Sequence, residues 1–255
     1  MDRVKVILNR SGGPLDEASK IEQVEQALQT TRVDYHLQPT DNAAQGAAAA
    51  RQAAEEGWPL IIAAGGDGTI NGVANGLMQA AGENQAGTLG IIPLGTANDL
   101  ADMLNLPRDI TAACQRLSTG NSRLIDVGQV NGHYFVNNSA IGLEPMVTLT
   151  QDRMRWVKGK TRYLLAAIKV ILSAQIWSAQ LSWDNGDYNG PLVLVSVGNS
   201  PRTGGVFYMT PQAILDDGLL DFVYAGQLSR WQMLQLLPKT LKGEHIHPRG
   251  LELAG

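Results

Sequence analysis

The sequence predicts an α/β protein in two parts, and three observations carry that expectation. Apolar strand-like runs alternate with helical stretches through the first half. Past residue 122 the texture changes to closely spaced strands joined by Asn-Gly and Asp-Gly turns. Twenty-eight glycines stand against three phenylalanines, a balance that favours tight turns and close backbone approaches over a helical bundle. With 255 residues and 44% hydrophobic content, the chain is long enough to bury a sizeable core.

In order, Val4 to Leu8 reads as a first strand, and Ile21, Val24 and Leu28 mark one face of a helix. Val33 to Leu37 gives a second strand, the alanine-rich stretch 42–56 a second helix, Leu60 to Ala64 a buried third strand and Thr88 to Ile92 a fourth. Such alternation implies parallel pairing through right-handed crossovers, with ligands at the carboxyl ends of the strands. The β-rich part opens with runs 123–130 and 133–140 around Asn131-Gly132, then Leu181 to Trp183, the turn at Asn185-Gly186, Leu192 to Val197, and Leu219 to Tyr224 after an Asp-Gly turn. A helical insertion, Thr161 to Ile176, interrupts it.

Several function classes recede at once. A net charge of -4 disfavours nucleic acid, whose phosphates demand a basic face. One cysteine, Cys114, excludes an internal disulfide, a Cys-rich zinc site and a dithiol centre. Residues 1–10 lack the apolar core of a signal peptide, and the run Tyr163 to Ile176 is too broken and short to span a bilayer, so a cytoplasmic chain with at most peripheral membrane contact is expected.

The strongest local signal is Gly65-Gly66-Asp67-Gly68-Thr69-Ile70-Asn71, directly after the third strand and opening a helix. Glycines admit phosphate oxygens close to the backbone, and the amides of the following helix start carry partial positive charge. An ordinary strand-to-helix turn has the same composition. The segment is neither a P-loop, which needs Lys-Ser or Lys-Thr after its last glycine, nor the wider-spaced dinucleotide fingerprint. A second loop, Pro93-Leu94-Gly95-Thr96-Ala97-Asn98-Asp99, follows the next strand and offers Gly, Thr and Asp to the same crevice.

Together these two motifs resemble the catalytic domain of diacylglycerol and related lipid kinases, including the bacterial YegS-like and soluble diacylglycerol kinases. The resemblance continues through Leu124-Ile125-Asp126-Val127-Gly128, Phe135-Val136-Asn137-Asn138, Val197-Gly198-Asn199-Ser200 and residues 211–221. It implies a Rossmann-like three-layer α/β domain over 1–122 and a β-sandwich-type lipid-substrate domain over 123–255, the latter incomplete at its C-terminus. It further implies ATP and Mg2+ as cofactors, a lipid such as diacylglycerol or phosphatidylglycerol as acceptor, and nucleotide contacts at Thr40, Gly65, Gly66, Asp67, Gly68, Thr69, Ile70, Asn71, Gly72 and Thr96.

By the same resemblance Asp67 is the catalytic carboxylate, and Asp67, Asp99 and Asp126 organise water and magnesium. Ile214, Asp217 and Leu219 match a second metal site built partly from main-chain oxygens. Local readings stand beside these: turn and cap chemistry at Thr40, a helix cap at Asp99, a turn acceptor at Asp126 and a plain turn at Asp217-Gly218. Residues 153–162 carry five cations with Trp156, which suits either anionic headgroups or a solvated helix end. Two departures from the family are expected to lower activity: Gly72 where it usually has Glu, and no Asp-Gly-Glu segment, which supplies its general base. A kinase acting on NAD, which shares Gly-Gly-Asp-Gly, and a nucleotide-binding remnant without turnover are the competing readings.

Overall fold

The structure is a computed structural model that describes residues 3–11, 13–31, 33–82, 87–154 and 161–246. It divides into two compact units, Met1–Val136 and Asn137–Gly255, later than the 122/123 division read from the sequence.

The first unit alternates β1 (Val4–Asn9), α1 (Glu17–Thr30), β2 (Tyr35–Thr40), α2 (Ala43–Glu55), β3 (Leu60–Gly65), α3 (Asp67–Ala81) and β4 (Thr88–Pro93). The strands form one parallel sheet in the order β2-β1-β3-β4. Val4, Val6, Leu8, Ile62 and Ile92 are buried with Val24 and Leu28 of α1, as both periodicities require. Short helices α4 (Asp99–Met103) and α5 (Ile110–Ser118) follow, then the hairpin β5 (Gly128–Val130) and β6 (His133–Phe135). Asn131 and Gly132 both have positive φ, 49° and 78°, which gives the primed turn that Asn-Gly signals. The hairpin belongs with the first unit because Asn75 of α3 donates to the Tyr134 carbonyl and accepts from its amide, at 2.7 and 2.9 Å.

Helices α2 and α3 pack closely, which accounts for the alanines of one and the glycines of the other. A Cβ on Gly72 would lie 2.7 Å from the Ala43 carbonyl oxygen, and one on Gly76 would lie 2.2 Å from that of Ala47. Small residues on both helices let the backbones approach, and a larger side chain on either would separate them.

The second unit runs β7 (Asn138–Gly142), α6 (Leu143–Arg153), α7 (Thr161–Leu172), β8 (Trp177–Trp183), β9 (Gly186–Gly198), β10 (Asp221–Gly226) and α8 (Arg230–Thr240). Its strands make an antiparallel sheet in which long β9 pairs with β8 along its first half and with β7 and β10 along its second. Trp183 pairs with Gly186, so the β8–β9 turn is Asp184-Asn185, one residue earlier than expected. One sheet face carries Val223 and Ala225 toward the helices; the other gathers Trp183, Tyr188, Phe222 and Tyr224. Among the described residues no helix is long and apolar enough to cross a membrane.

Candidate active site

The loops leaving β1, β2, β3 and β4 are tied to one another at the carboxyl edge of the parallel sheet. The Leu94 amide donates to the Gly65 carbonyl at 2.9 Å, continuing the β3–β4 ladder into both glycine loops. Beyond it Gly66 and Gly95 touch: a Cβ on Gly95 would lie 2.5 Å from the Gly66 Cα, and one on Gly66 would lie 3.1 Å from the Gly95 Cα. A side chain at Gly95 would force the loops apart, and one at Gly66 would be tight. The Asn9 amide donates to Thr69 Oγ1 at 3.0 Å, joining β1 to α3, and the Arg10 amide donates to the Thr40 carbonyl at 2.9 Å, joining β1 to β2.

The second loop closes on itself. Asn98 Oδ1 accepts from the Gly95 amide and its Nδ2 donates to the Gly95 carbonyl, both at 2.9 Å. Asn98 is left-handed, with φ 55°, a conformation asparagine tolerates better than most side chains. From behind, Arg108 donates to the Ala97 carbonyl at 2.8 Å while forked on the Asp102 carboxylate at 2.6 and 2.9 Å. Exposed Thr96 is thereby held at the tip of a braced turn.

Asp67 opens α3 and points across to α4, where its Oδ1 accepts from the Leu100 amide at 3.4 Å. Burial pushes its carboxyl pKa up, and the backbone amides of Leu100, Asp99 and Asn98 partly oppose that rise. A carboxylate so placed gains from a cation. Gly68 is the informative glycine: its backbone is helical and a Cβ there would meet nothing within 4 Å. Neither turn geometry nor packing asks for glycine at this position, so the open space over the start of α3 is where a ligand can come close.

Each expected nucleotide residue has a definite place. Thr40 is buried with its hydroxyl 3.3 Å from the Leu8 carbonyl, and the cap of α2 is Asn42, not Thr40. Thr69 is buried and turned inward, so close that a Cβ on Gly65 would lie 2.3 Å from its Oγ1; Ile70 is fully buried. Neither side chain reaches the loop surface. Asn71 accepts from the Val136 amide at 3.3 Å. Gly72 faces Ala43 of α2, where the family's usual Glu would collide with backbone.

Among the expected metal residues, Asp67 and Asp99 meet at the start of α4, where Asp99 is buried. Asp126 lies on the segment before β5. Among the described residues no three His, Cys, Asp or Glu side chains gather into a metal-binding cluster. Magnesium does not need one, since it commonly takes one or two carboxylates and fills its octahedron with water and phosphate oxygens, so Asp67 with its neighbours fits. In the second unit Asp217 accepts from the Leu219 amide at 3.1 Å and Gly218 has φ 78°, a tight turn with Ile214 and Leu219 exposed. The Asp221 carboxyl is raised by burial and then by the Asp217 charge.

Sequence reasoning missed several residues that shape the site. Lys20 is only 2% exposed and its amine donates to the Arg10 carbonyl at 2.9 Å, while Gly13 beside it rests on the Leu94 carbonyl oxygen. Its burial lowers its pKa against the charges of Asp16 and Glu17. The signal was available: Lys20, Val24 and Leu28 share one helical face, so a lysine occupies a core position of α1. Asn9, Asn75 and Arg108 had no local signal, because their roles depend on partners far along the chain.

Residues 3–130 match the model of the diacylglycerol kinase catalytic domain, and residues 138–254 match that of the YegS C-terminal NAD kinase beta sandwich-like domain. The chain is similar to a diacylglycerol kinase of Bacillus subtilis, 33% identical over 251 residues that cover 97% of this chain and 81% of the relative. A YegS-like lipid kinase of Chromohalobacter salexigens is 34% identical over 226 residues, 87% of this chain and 72% of that one. A crystal structure of a diacylglycerol kinase from Bacillus anthracis superposes with a TM-score of 0.73 at 27% identity, covering 93% of this chain and 77% of the other.

Proposed function

This chain belongs to the diacylglycerol kinase catalytic-domain family, and we propose that it transfers the γ-phosphate of ATP to the hydroxyl of a lipid such as diacylglycerol or phosphatidylglycerol. The observation that carries the reading is the Gly66–Gly95 contact beside the unfilled space over Gly68, with the Asp67 carboxylate at its edge. Backbone amides from Gly66 to Asn71 and around Thr96 cradle the polyphosphate, where glycine lets oxygens approach and the start of α3 favours negative charge. Asp67 and Asp99, with Asp126, hold a hydrated magnesium ion. That ion supplies charge neutralisation, the larger part of what phosphoryl transfer requires besides positioning.

The bracing around the loops fits that demand. Asn98 and Arg108 leave the second turn little freedom and the Gly66–Gly95 contact ties the first turn to it, so the donors are set before the substrate arrives. The acceptor reaches the protein at a membrane surface, with exposed Arg153 opening the basic segment; Arg155, Trp156, Lys158 and Lys160 lie outside the described residues. A second cation at the main-chain oxygens of Ile214 and Leu219 with Asp217 would offset the Asp217 charge, which adds to burial in raising the Asp221 carboxyl.

The test is a magnesium-dependent phosphorylation screen with γ-labelled ATP over total lipid extract, run beside NAD and with Asp67→Ala. Label in the lipid phase that disappears with magnesium chelation and in the variant is the expected result. Label in NAD, or nucleotide binding with no labelled product from any acceptor, would replace the reading with one of its two competitors.

A further inference from the structure

Helices α6 and α7 pack side by side, and Leu143, Val147, Ala167 and Ile171 turn their inner faces toward the antiparallel sheet. What each helix leaves outside is a stripe at helical spacing. On α6 it runs through Met146, Leu149 and Arg153, and on α7 through Leu165, Lys169 and Leu172. The exterior of a helix in water ordinarily carries polar and charged side chains. Here the four apolar ones are 42 to 55% exposed. An apolar side chain exposed singly needs no explanation, but a row on two neighbouring helices does.

The charges say what kind of surface covers them. Arg153 and Lys169 are the exposed charges described on the two helices, and both are cations. From Arg153 to Trp183 the sequence holds six cations and no Asp or Glu, in a chain whose net charge is -4. The partner is therefore anionic as well as apolar. Protein interfaces deplete lysine and bury aromatic anchors. Lys169 instead sits within the α7 stripe, and no aromatic side chain is exposed among the described residues of either helix. Leucine and methionine interleaved with Lys and Arg are the composition of a helix lying in a lipid interface, where a long cationic side chain keeps its charge among the headgroups.

We infer that the exteriors of α6 and α7 form a docking surface for an anionic bilayer. Met146, Leu149, Leu165 and Leu172 enter the boundary between headgroups and acyl chains, while Arg153 and Lys169 meet lipid phosphates beside them. That this surface brings a kinase to its acceptor rests on the function proposed above; the docking itself does not.

The test is co-sedimentation of the full chain with vesicles of phosphatidylcholine, alone or with about one-third phosphatidylglycerol, in dilute salt and at about 1 M salt, where the screening length is near 3 Å. Binding should require phosphatidylglycerol. Leu149→Gln, Leu165→Gln and Leu172→Gln together should weaken it at least thirtyfold in dilute salt with the melting temperature little changed, since all three sites are exposed. Should the triple variant not fold, Leu149→Gln and Leu165→Gln taken singly should each cost about threefold. Lys169→Gln should weaken binding about fivefold in dilute salt and have no effect at high salt. No vesicle binding, equal binding to phosphatidylcholine alone, or binding by the leucine variants within twofold of wild type would overturn the inference. So would a wild-type oligomer that the triple variant turns into monomer without any vesicle binding, which would assign the face to a second copy. Phosphorylation of diacylglycerol presented in the same vesicles separates the two readings. Equal turnover by wild type and triple variant removes the docking surface while the kinase stands, whereas leucine-dependent vesicle binding without lipid turnover keeps the surface and removes the kinase.

Discussion

Replacing Gly95 by alanine tests the junction of the two loops with a single methyl group. That methyl would sit 2.5 Å from the Gly66 Cα and 2.7 Å from Asn98 Oδ1, against an ordinary contact distance that begins at 3.4 Å. The Gly66 contact is backbone and the Asn98 side chain is fixed by two hydrogen bonds to Gly95 itself, so neither can rotate away. The loops must part by about 1 Å. Overpacking of this kind costs roughly 1–3 kcal/mol, and a displacement near 1 Å at a reacting centre costs on the order of 10²-fold in rate. The assay is kcat/KM for ATP at saturating lipid, with the melting temperature measured alongside. Gly66→Ala is the graded comparison, since its methyl would approach Gly95 only to 3.1 Å and should cost clearly less. Gly95→Ala with activity within twofold of wild type and an unchanged melting temperature would refute the reasoning.

Three further outcomes follow from the same geometry. Gly68→Ala should stabilise the fold by about 0.5–1 kcal/mol, as alanine does in a helix, yet raise the KM for ATP tenfold or more because the methyl occupies the ligand's space; denaturant unfolding and steady-state kinetics read the two effects. Asp67→Asn should lower kcat by at least about 10²-fold while leaving stability equal or higher at neutral pH. Because burial raises the Asp67 carboxyl, its contribution is favourable below the unfolded value of 3.8 and is lost as pH rises through the folded value. The variant's stability advantage should therefore grow on going from pH 3 to neutrality, and denaturant melts across that range check the sign. Neutralising Arg153, Arg155 and Lys158 together should weaken binding to vesicles rich in anionic lipid by roughly 10²-fold at about 1 kcal/mol per charge, measured by co-sedimentation; unchanged binding would remove that segment from membrane docking.

What the sequence disclosed was whatever is written locally. The first unit's strands came from apolar runs of the right length, the Asn131-Gly132 turn from dihedral preference, and the two glycine loops from their place after strands. The share of each glycine was not legible, because Gly65 answers to Thr69, Gly66 and Gly95 to each other, Gly72 and Gly76 to α2, and Gly68 to no protein atom within 4 Å. That sorting depends on contacts between segments distant in sequence. Helix α6 gave no side-chain cap to read, since it starts at Gly142 with φ 91°. Helix α8 did offer one: Ser229 and Gln232 form a capping box whose spacing stands in the sequence, with Pro238 inside the helix obscuring the pattern.

The central claim is that two strand-end turns share one polyphosphate. Its most direct measurement is a titration of the isotopically labelled protein with magnesium and a non-hydrolysable ATP analogue, following backbone amides. The amides of Gly66, Gly68 and Thr96 should shift together with a single dissociation constant, and Asp67→Asn should weaken all three alike. Saturable binding that moves one loop and leaves the other still, or that moves neither, would contradict it.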